Sequence, residues 1–351
     1  KNLLNIFAEA LKNLGIKFAW IVNSEDGLDE ISPYEKTNVV QLNKGEISNI
    51  IIDPKELNIQ ANNMHTIGFI GIGIMGKPMV ENLLKSGYSV NVYARRQASI
   101  DALENTPNQV FNSPQALASA SQIIISCVAD TSDVEQVLIG DEGVLNGIQA
   151  GSLVIDMSTI SPQATRAMAQ QFAAAEASML DAPVSGGEIG AINANLSIMV
   201  GGQSDDFQRA LPVLQCLGEN ITHIGDHGAG QVAKACNQIL VAQTMNAVAE
   251  AFLLAQSAAV DASKVRAALL GGFAYSKILE VHGQRMLTGD YQPGFKTALH
   301  AKDLRIAAET ASTHNIELAG ADLVRAHMQA LLANGDGELD SSAIAKIVGS
   351  G

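Results

Sequence analysis

Ile67-Gly68-Phe69-Ile70-Gly71-Ile72-Gly73-Ile74-Met75-Gly76 decides the fold class, because an apolar strand-like run passes directly into G-x-G-x-x-G at Gly71, Gly73 and Gly76. Each glycine has a separate physical role. The first permits a tight turn, the second lets backbone approach a pyrophosphate, and the third allows close packing of helix on strand. Ile74 and Met75 sit between them, where main-chain groups would meet a phosphate. The helix that follows runs to Gly87, a candidate C-cap, and Val90-Asn91-Val92-Tyr93 reads as the next strand. In that context we read the segment as a dinucleotide-binding turn; tight strand-helix packing without a ligand is the alternative.

Working outward, Ile67 to Ile70, Val90 to Tyr93, Ile123 to Val128, Leu153 to Met157 and Met179 to Asp181 form short apolar runs separated by helical patterns. That alternation predicts an α/β, Rossmann-type doubly wound parallel sheet. Ser113-Pro114 and Ser161-Pro162 each place a capping hydroxyl before a proline suited to the first helical position. After Gly225 the pattern turns almost wholly helical, with Asp261 and Ser263 as capping candidates. The expected organisation is an α/β extension over residues 1–63, a dinucleotide-binding domain over 64–226 and an all-helical substrate and dimerisation domain over 227–351. Met64 resembles a natural start, and with no long linker or repeat the two larger domains should share a tight cleft.

Composition narrows the partners. Of the 351 residues 47% are apolar but only 4% aromatic, which suits helices packed on a parallel sheet. Acidic residues outnumber basic ones 36 to 22, for a net charge of -14, which argues against nucleic acid or an anionic membrane as partner. An anionic ligand therefore needs locally placed cations. Cys127, Cys216 and Cys236 lack the spacing of a zinc site or disulfide framework, and a reducing, cytoplasmic setting is expected. Ile239 to Val260 is the most apolar long stretch, but Gln243, Asn246, Glu250 and Gln256 argue for a buried helix rather than a lipid-facing span.

Three further segments lie at ends of expected elements, together with Arg95-Arg96 after the second strand. Ala94 stands where an acidic residue would grip the ribose 2′-hydroxyl of NAD, so the two arginines favour NADP(H), with NAD(H) still possible; solvated surface arginines are the alternative. Asp181-Ala182-Pro183-Val184-Ser185-Gly186-Gly187 can offer the Ser185 hydroxyl and the backbone of Gly186 and Gly187 to a carboxylate, or form an ordinary turn. In Gly228-Ala229-Gly230-Gln231-Val232-Ala233-Lys234-Ala235-Cys236-Asn237, Lys234 and Asn237 share a helix face. Burial would lower the lysine pKa toward proton-transfer chemistry, whereas a snorkelling surface lysine is the plain reading. Lys302-Asp303-Leu304 is by default a solvated charge pair, with at most one of the two charges facing a ligand. No histidine or carboxylate spacing suggests a metal.

Together the glycine-rich start, the D-x-P-V-S-G-G loop, the G-x-G-x-x-x-K-x-x-N helix and the K-D-L segment, in that order, resemble the beta-hydroxyacid dehydrogenase family. The resemblance runs from Met64 to about the last helix. It implies Lys234 as catalytic acid/base, Asn237 orienting substrate, and Ser185, Gly186 and Gly187 holding a carboxylate. It also implies Thr159, within Asp156-Met157-Ser158-Thr159, beside the nicotinamide, Lys302 near the cofactor, and Val128 beside the dinucleotide. The family commonly carries a proline where Ala129 stands. Leu180 to Ala191, Gly271-Gly272-Phe273-Ala274 and Ile278 to Gly283 are similar to the branch that reduces tartronate semialdehyde to glycerate. Branches acting on 3-hydroxyisobutyrate or succinic semialdehyde share the machinery, and a catalytically silent nucleotide-binding scaffold is a rival of another class.

The first sixty or so residues, Asn13 to Lys17 and Glu25 to Pro33 among them, resemble a fragment of anthranilate phosphoribosyltransferase. The Asp29-Glu30 equivalents bind metal in that family, but its glycine-rich phosphoribosyl segment is absent, so no transferase activity is expected. The apolar helix beginning near Gly230 predicts a homodimer or homotetramer through the helical domain.

Overall fold

The computed structural model describes residues 20–22, 39–43, 46–51 and 65–349. The chain divides into two units, Lys1–Met64 and His65–Gly351. In the first, β1 (Trp20–Val22), β2 (Val39–Asn43) and β3 (Glu46–Ile51) form a sheet in that order. β1 and β2 pair in parallel, and β2 and β3 antiparallel. Asp29-Glu30 lie outside the described residues.

The second unit opens with β4 (Ile67–Ile70), α1 (Gly76–Lys85), β5 (Val90–Tyr93), α2 (Gln97–Asp101), β6 (Gln109–Val110) and α3 (Pro114–Ser119). It continues with β7 (Ile123–Ser126), α4 (Thr131–Ile139), β8 (Leu153–Asp156), α5 (Pro162–Ala174), β9 (Ser178–Asp181), β10 (Val184–Ser185) and α6 (Gly187–Ile192). β11 (Leu196–Gly201), α7 (Ser204–Leu214) and β12 (Gly218–Gly225) complete the sheet. The helical part is α8 (Ala229–Ser257), α9 (Ala262–Leu270), α10 (Lys277–Thr288), α11 (Thr297–Thr313) and α12 (Ala319–Ala333).

The strands are short continuous apolar runs because helices cover both faces of the sheet. Ile67, Phe69, Ile123, Ile125, Leu153 and Ile155 pack on one face with Met79, Val80 and Leu83 of α1. The residues between them, Ile124 and Val154, pack on the other with Leu117, Leu138, Met168 and Phe172 of α3, α4 and α5. This two-residue alternation is the pleat itself. Ser113 and Ser161 cap α3 and α5 as read from the sequence, accepting from Ala116 N at 3.2 Å and Ala164 N at 3.4 Å. Asp261 caps α9, accepting from Ser263 N at 2.8 Å.

The strand order β6-β5-β4-β7-β8-β9 is the doubly wound parallel core expected, but the sheet has nine strands and is not wholly parallel. β11 runs antiparallel to both β9 and β10, and β12 pairs with β11. Leu196–Gly201 alternates buried and half-buried residues, a period-two signal passed over in the sequence, and β12 is too polar to announce itself as a strand. The expectation of a buried helix over Ile239 to Val260 also needs correction. By length and apolarity alone α8 could cross a membrane. Its Ala242, Met245 and Ala249 pack in the helical core with α11 and α12, while Leu240 and Leu254 on its other side are 67% and 71% exposed.

Candidate active site

The end of β9 and the loop after β8 meet the start of α8, and the loop after β7 joins them through Ser158. Gly71 has φ +99°, a backbone conformation open to glycine, and a side chain there would strike the Cys127 carbonyl and Val128. Gly76 lies so close to the Gly71 carbonyl oxygen that a Cβ would approach it to less than 3.0 Å, whereas a Cβ on exposed Gly73 would meet nothing within 4 Å. Turn, open approach and close packing thus fall at the first, second and third glycines. No side chain caps α1 at Met75 and no acidic residue occupies its first turn; Lys77 N already donates to Gly73 O at 2.9 Å and Pro78 carries no N–H, which leaves the Gly76 N–H and the positive end of the helix dipole facing an anion. These features fit a dinucleotide pyrophosphate.

Gly73, exposed Ile74 and Arg96 line a groove of about 580 Å³ that also includes Lys77, Ser99 and Glu188. The expected paired cations separate: Arg95 lies 3.3 Å from Asp133 of α4, and only Arg96 of the two lines the groove.

A second layer holds the loops after β7 and β8. Val128 N donates to Ser158 Oγ at 2.9 Å. Buried Gln231 of α8 brackets Thr159, donating to Ser158 O at 2.9 Å and accepting from Ile160 N at 3.1 Å. Asp156 accepts from Ser126 Oγ at 2.8 Å, and burial raises its pKa to about 6 against those hydrogen bonds. Asp181 accepts from Gly228 N at 2.8 Å and Gln231 N at 2.9 Å, clamping the start of α8 to the end of β9. Burial nonetheless raises the Asp181 pKa.

Lys234 projects from that clamped helix start and is 7% exposed, so it does not snorkel. Its Nζ donates to Gln238 Oε1 at 3.1 Å, and Asn237 Nδ2 donates to the same oxygen at 2.7 Å. Gln238 Nε2 donates to Asp303 Oδ2 at 2.6 Å. Burial is the main cause lowering the Lys234 pKa to about 8, with Asp303 opposing and Lys302 assisting. The solvated Lys302-Asp303 pair expected from sequence is instead nearly buried: Lys302 Nζ is 2.9 Å from Asp303 Oδ1 and donates to Thr159 O at 2.6 Å. Consecutive residues both join the site because Asp303 turns inward to Gln238 while Lys302 reaches across to the β8 loop.

Ser185 is half-buried in β10, paired with Ser197, and Gly186 and Gly187 take φ of 137° and 63° at the turn into α6. That turn geometry explains both glycines. Among the described residues no hydrogen bond joins Ser185–Gly187 to the Lys234 network, and no group of three or more His, Cys, Asp or Glu is placed to hold a metal. Sequence reasoning missed Gln231, Gln238 and the inward role of Asp303. The available signal was spacing, since Gln231 and Gln238 flank Lys234 at three and four residues on α8.

Comparison with known proteins identifies the family. Residues 66–225 match the family described as the NAD binding domain of 6-phosphogluconate dehydrogenase. Residues 228–348 match that described as NAD-binding of NADP-dependent 3-hydroxyisobutyrate dehydrogenase. Residues 1–69 match a glycosyl transferase family a/b domain, consistent with the phosphoribosyltransferase-like extension. The chain is 44% identical over 278 residues to 2-hydroxy-3-oxopropionate reductase of Escherichia coli (strain K12), covering 79% of this chain and 95% of that protein. It is 35% identical to the NAD-dependent L-serine dehydrogenase of Pseudomonas aeruginosa, covering 81% and 98%. The structure of Mycobacterium tuberculosis 3-hydroxyisobutyrate dehydrogenase with L-serine superposes with a TM-score of 0.74 at 30% identity, covering 82% and 100%. With two family matches across both parts of the second unit and these relatives covered almost end to end, the chain belongs to the beta-hydroxyacid dehydrogenases, a family of NAD(P)-dependent oxidoreductases.

Proposed function

We propose that this protein reduces 2-hydroxy-3-oxopropionate (tartronate semialdehyde) to glycerate, with NADPH favoured over NADH and Lys234 as the proton donor. The observation that carries the mechanism is the buried Lys234 ammonium, held by Gln238 and with a pKa lowered to about 8, near enough to neutrality to give up and regain a proton. The substrate class rests on the similarity to the Escherichia coli reductase.

Gly71, Gly73 and Gly76, the backbone of Ile74 and Met75 and the N-terminus of α1 would hold the pyrophosphate, Arg96 would be the cation for a ribose 2′-phosphate, Val128 and Lys302 would border the dinucleotide, and Thr159 would lie on its nicotinamide side. When bound, the reduced nicotinamide supplies a hydride to the aldehyde carbon. Ser185, Gly186 and Gly187 hold the substrate carboxylate. Asn237 orients the substrate. Lys234 hydrogen-bonds the carbonyl oxygen, stabilises negative charge as it develops there and transfers its proton to it, giving the alcohol. Neutral Lys234 then recovers a proton from water. In a chain of net charge -14, Lys234 is the local cation that an anionic substrate needs, since the Lys302 ammonium is already paired with Asp303.

The test is the initial rate of NADPH and NADH oxidation with tartronate semialdehyde, for the wild type and Lys234→Ala. A wild-type rate that collapses in the variant while nucleotide binding survives supports the reading. A second reading, action on 3-hydroxyisobutyrate, draws on the Mycobacterium tuberculosis match. A higher kcat/KM for 3-hydroxyisobutyrate oxidation than for tartronate semialdehyde reduction would decide for it.

A further inference from the structure

We propose that Gln238 is a positioning residue for Lys234, its side-chain amide locked in one orientation by Asp303 so that the amide oxygen always faces the lysine ammonium. This rests on the reading of Lys234 as proton donor.

A glutamine amide can flip, exchanging donor for acceptor, and only its partners decide which end points where. Here the partners leave one choice. The Asp303 carboxylate, with the Lys302 ammonium 2.9 Å from its other oxygen, accepts from Gln238 Nε2 at 2.6 Å. Lys234 Nζ can only donate, and the Asn237 amide nitrogen is likewise a donor; both converge on Gln238 Oε1, at 3.1 and 2.7 Å. The flipped amide would set an NH2 group against an ammonium and an oxygen against a carboxylate, two unfavourable contacts in a buried site. Asp303 is in turn paired with Lys302, 2.9 Å away, which is itself fixed on the Thr159 carbonyl. A continuous series of fixed groups therefore runs from the β8 loop to the proton donor.

A lysine has a long stem with many rotamers, so an unanchored ammonium would spend little time aimed at a carbonyl oxygen. The locked acceptor both aims it and favours its charged form. The charged and titratable groups facing Lys234 are Lys302, Asp303 and His300, all on α11. Buried His300, with its pKa lowered to about 4, adds no positive charge near neutrality.

The test compares Gln238→Leu, Asp303→Asn and the double variant with wild type and Lys234→Ala. Each is assayed for kcat against pH in the reducing direction and for NADPH binding. Gln238→Leu should lower kcat by roughly 30- to 100-fold through lost orientation, with NADPH affinity held to about twofold, a change worth under a third of a tenfold step in free energy. Its basic limb should move to lower pH, because the protonated lysine loses its acceptor. Asp303→Asn, nearly isosteric, should move the limb down by about one unit. It carries the test alone if Gln238→Leu fails to fold. The double variant should be little slower than Gln238→Leu, because Asp303 acts through Gln238. Additive losses, an unmoved limb in both single variants, or losses confined to NADPH affinity or melting temperature overturn the proposal and leave the Lys234 reading standing. Full activity in Lys234→Ala overturns both.

Discussion

Replacing Gly76 and Gly73 separately by alanine should break two different things, although one methyl group is added in each case. At Gly76 the new Cβ would lie less than 3.0 Å from the Gly71 carbonyl oxygen and 3.1 Å from Phe69 Cε1. Neither a backbone carbonyl nor a fully buried ring can swing aside, so α1 must lift from β4. Overpacking of this kind costs about 1–3 kcal/mol. For a unit of this size that corresponds to a fall in melting temperature of roughly 2–4 °C per kcal/mol, or about 4–8 °C at the middle of the range. At Gly73 the Cβ would meet nothing, so stability should stay within about 0.5 kcal/mol of wild type and the melting temperature should barely move. That open space is where the pyrophosphate must approach, however, and NADPH affinity should drop by about tenfold, equivalent to ~1.4 kcal/mol. The assays are thermal unfolding without nucleotide and titration followed by the dihydronicotinamide's own fluorescence. Equal melting losses in the two variants, or wild-type NADPH affinity in Gly73→Ala, would refute the division of labour among the glycines.

Other outcomes follow from the same geometry. Because reduction needs protonated Lys234, its kcat should fall as pH rises through about 8, while oxidation of the alcohol, needing the neutral amine, should rise through the same region; a flat profile from pH 7 to 9.5 contradicts the assignment. Arg96→Ala should erode the preference for NADPH more than Arg95→Ala, since Arg95 is already paired with Asp133; the ratio of kcat/KM for the two cofactors reads this directly. Gln231→Leu should strand Ser158 O and Ile160 N at a cost of about 1–3 kcal/mol each, lowering the melting temperature and slowing turnover together. The exposed Leu240 and Leu254 on α8 lead us to expect a homodimer or homotetramer, and light scattering that finds only monomer at micromolar concentration rejects it.

The local features of this protein were legible in its sequence. Five strands of the parallel core stood out because both faces of that sheet are covered, which turns each strand into an unbroken apolar run. The three glycines could be assigned separate roles because their effect comes from a missing Cβ, a property of the residue itself. Ser113, Ser161 and Asp261 cap helices through backbone N–H groups two or three residues away, so their reading needed no fold. Family resemblance then pointed to Lys234, but its burial was open until the helix had neighbours.

Only the tertiary structure decided the partners of buried polar groups. Gln238 meets Asp303 across 65 residues, and Lys302 meets the Thr159 carbonyl across 143. It also separated Arg95 from Arg96, adjacent in the chain but facing different neighbours, and it turned β11 antiparallel at the end of a parallel sheet. The reason is the same in each case. Local backbone preference and apolar patterning act over a few residues and leave a periodic trace in the sequence, whereas a buried amide or charge is defined by whatever the completed fold brings to it.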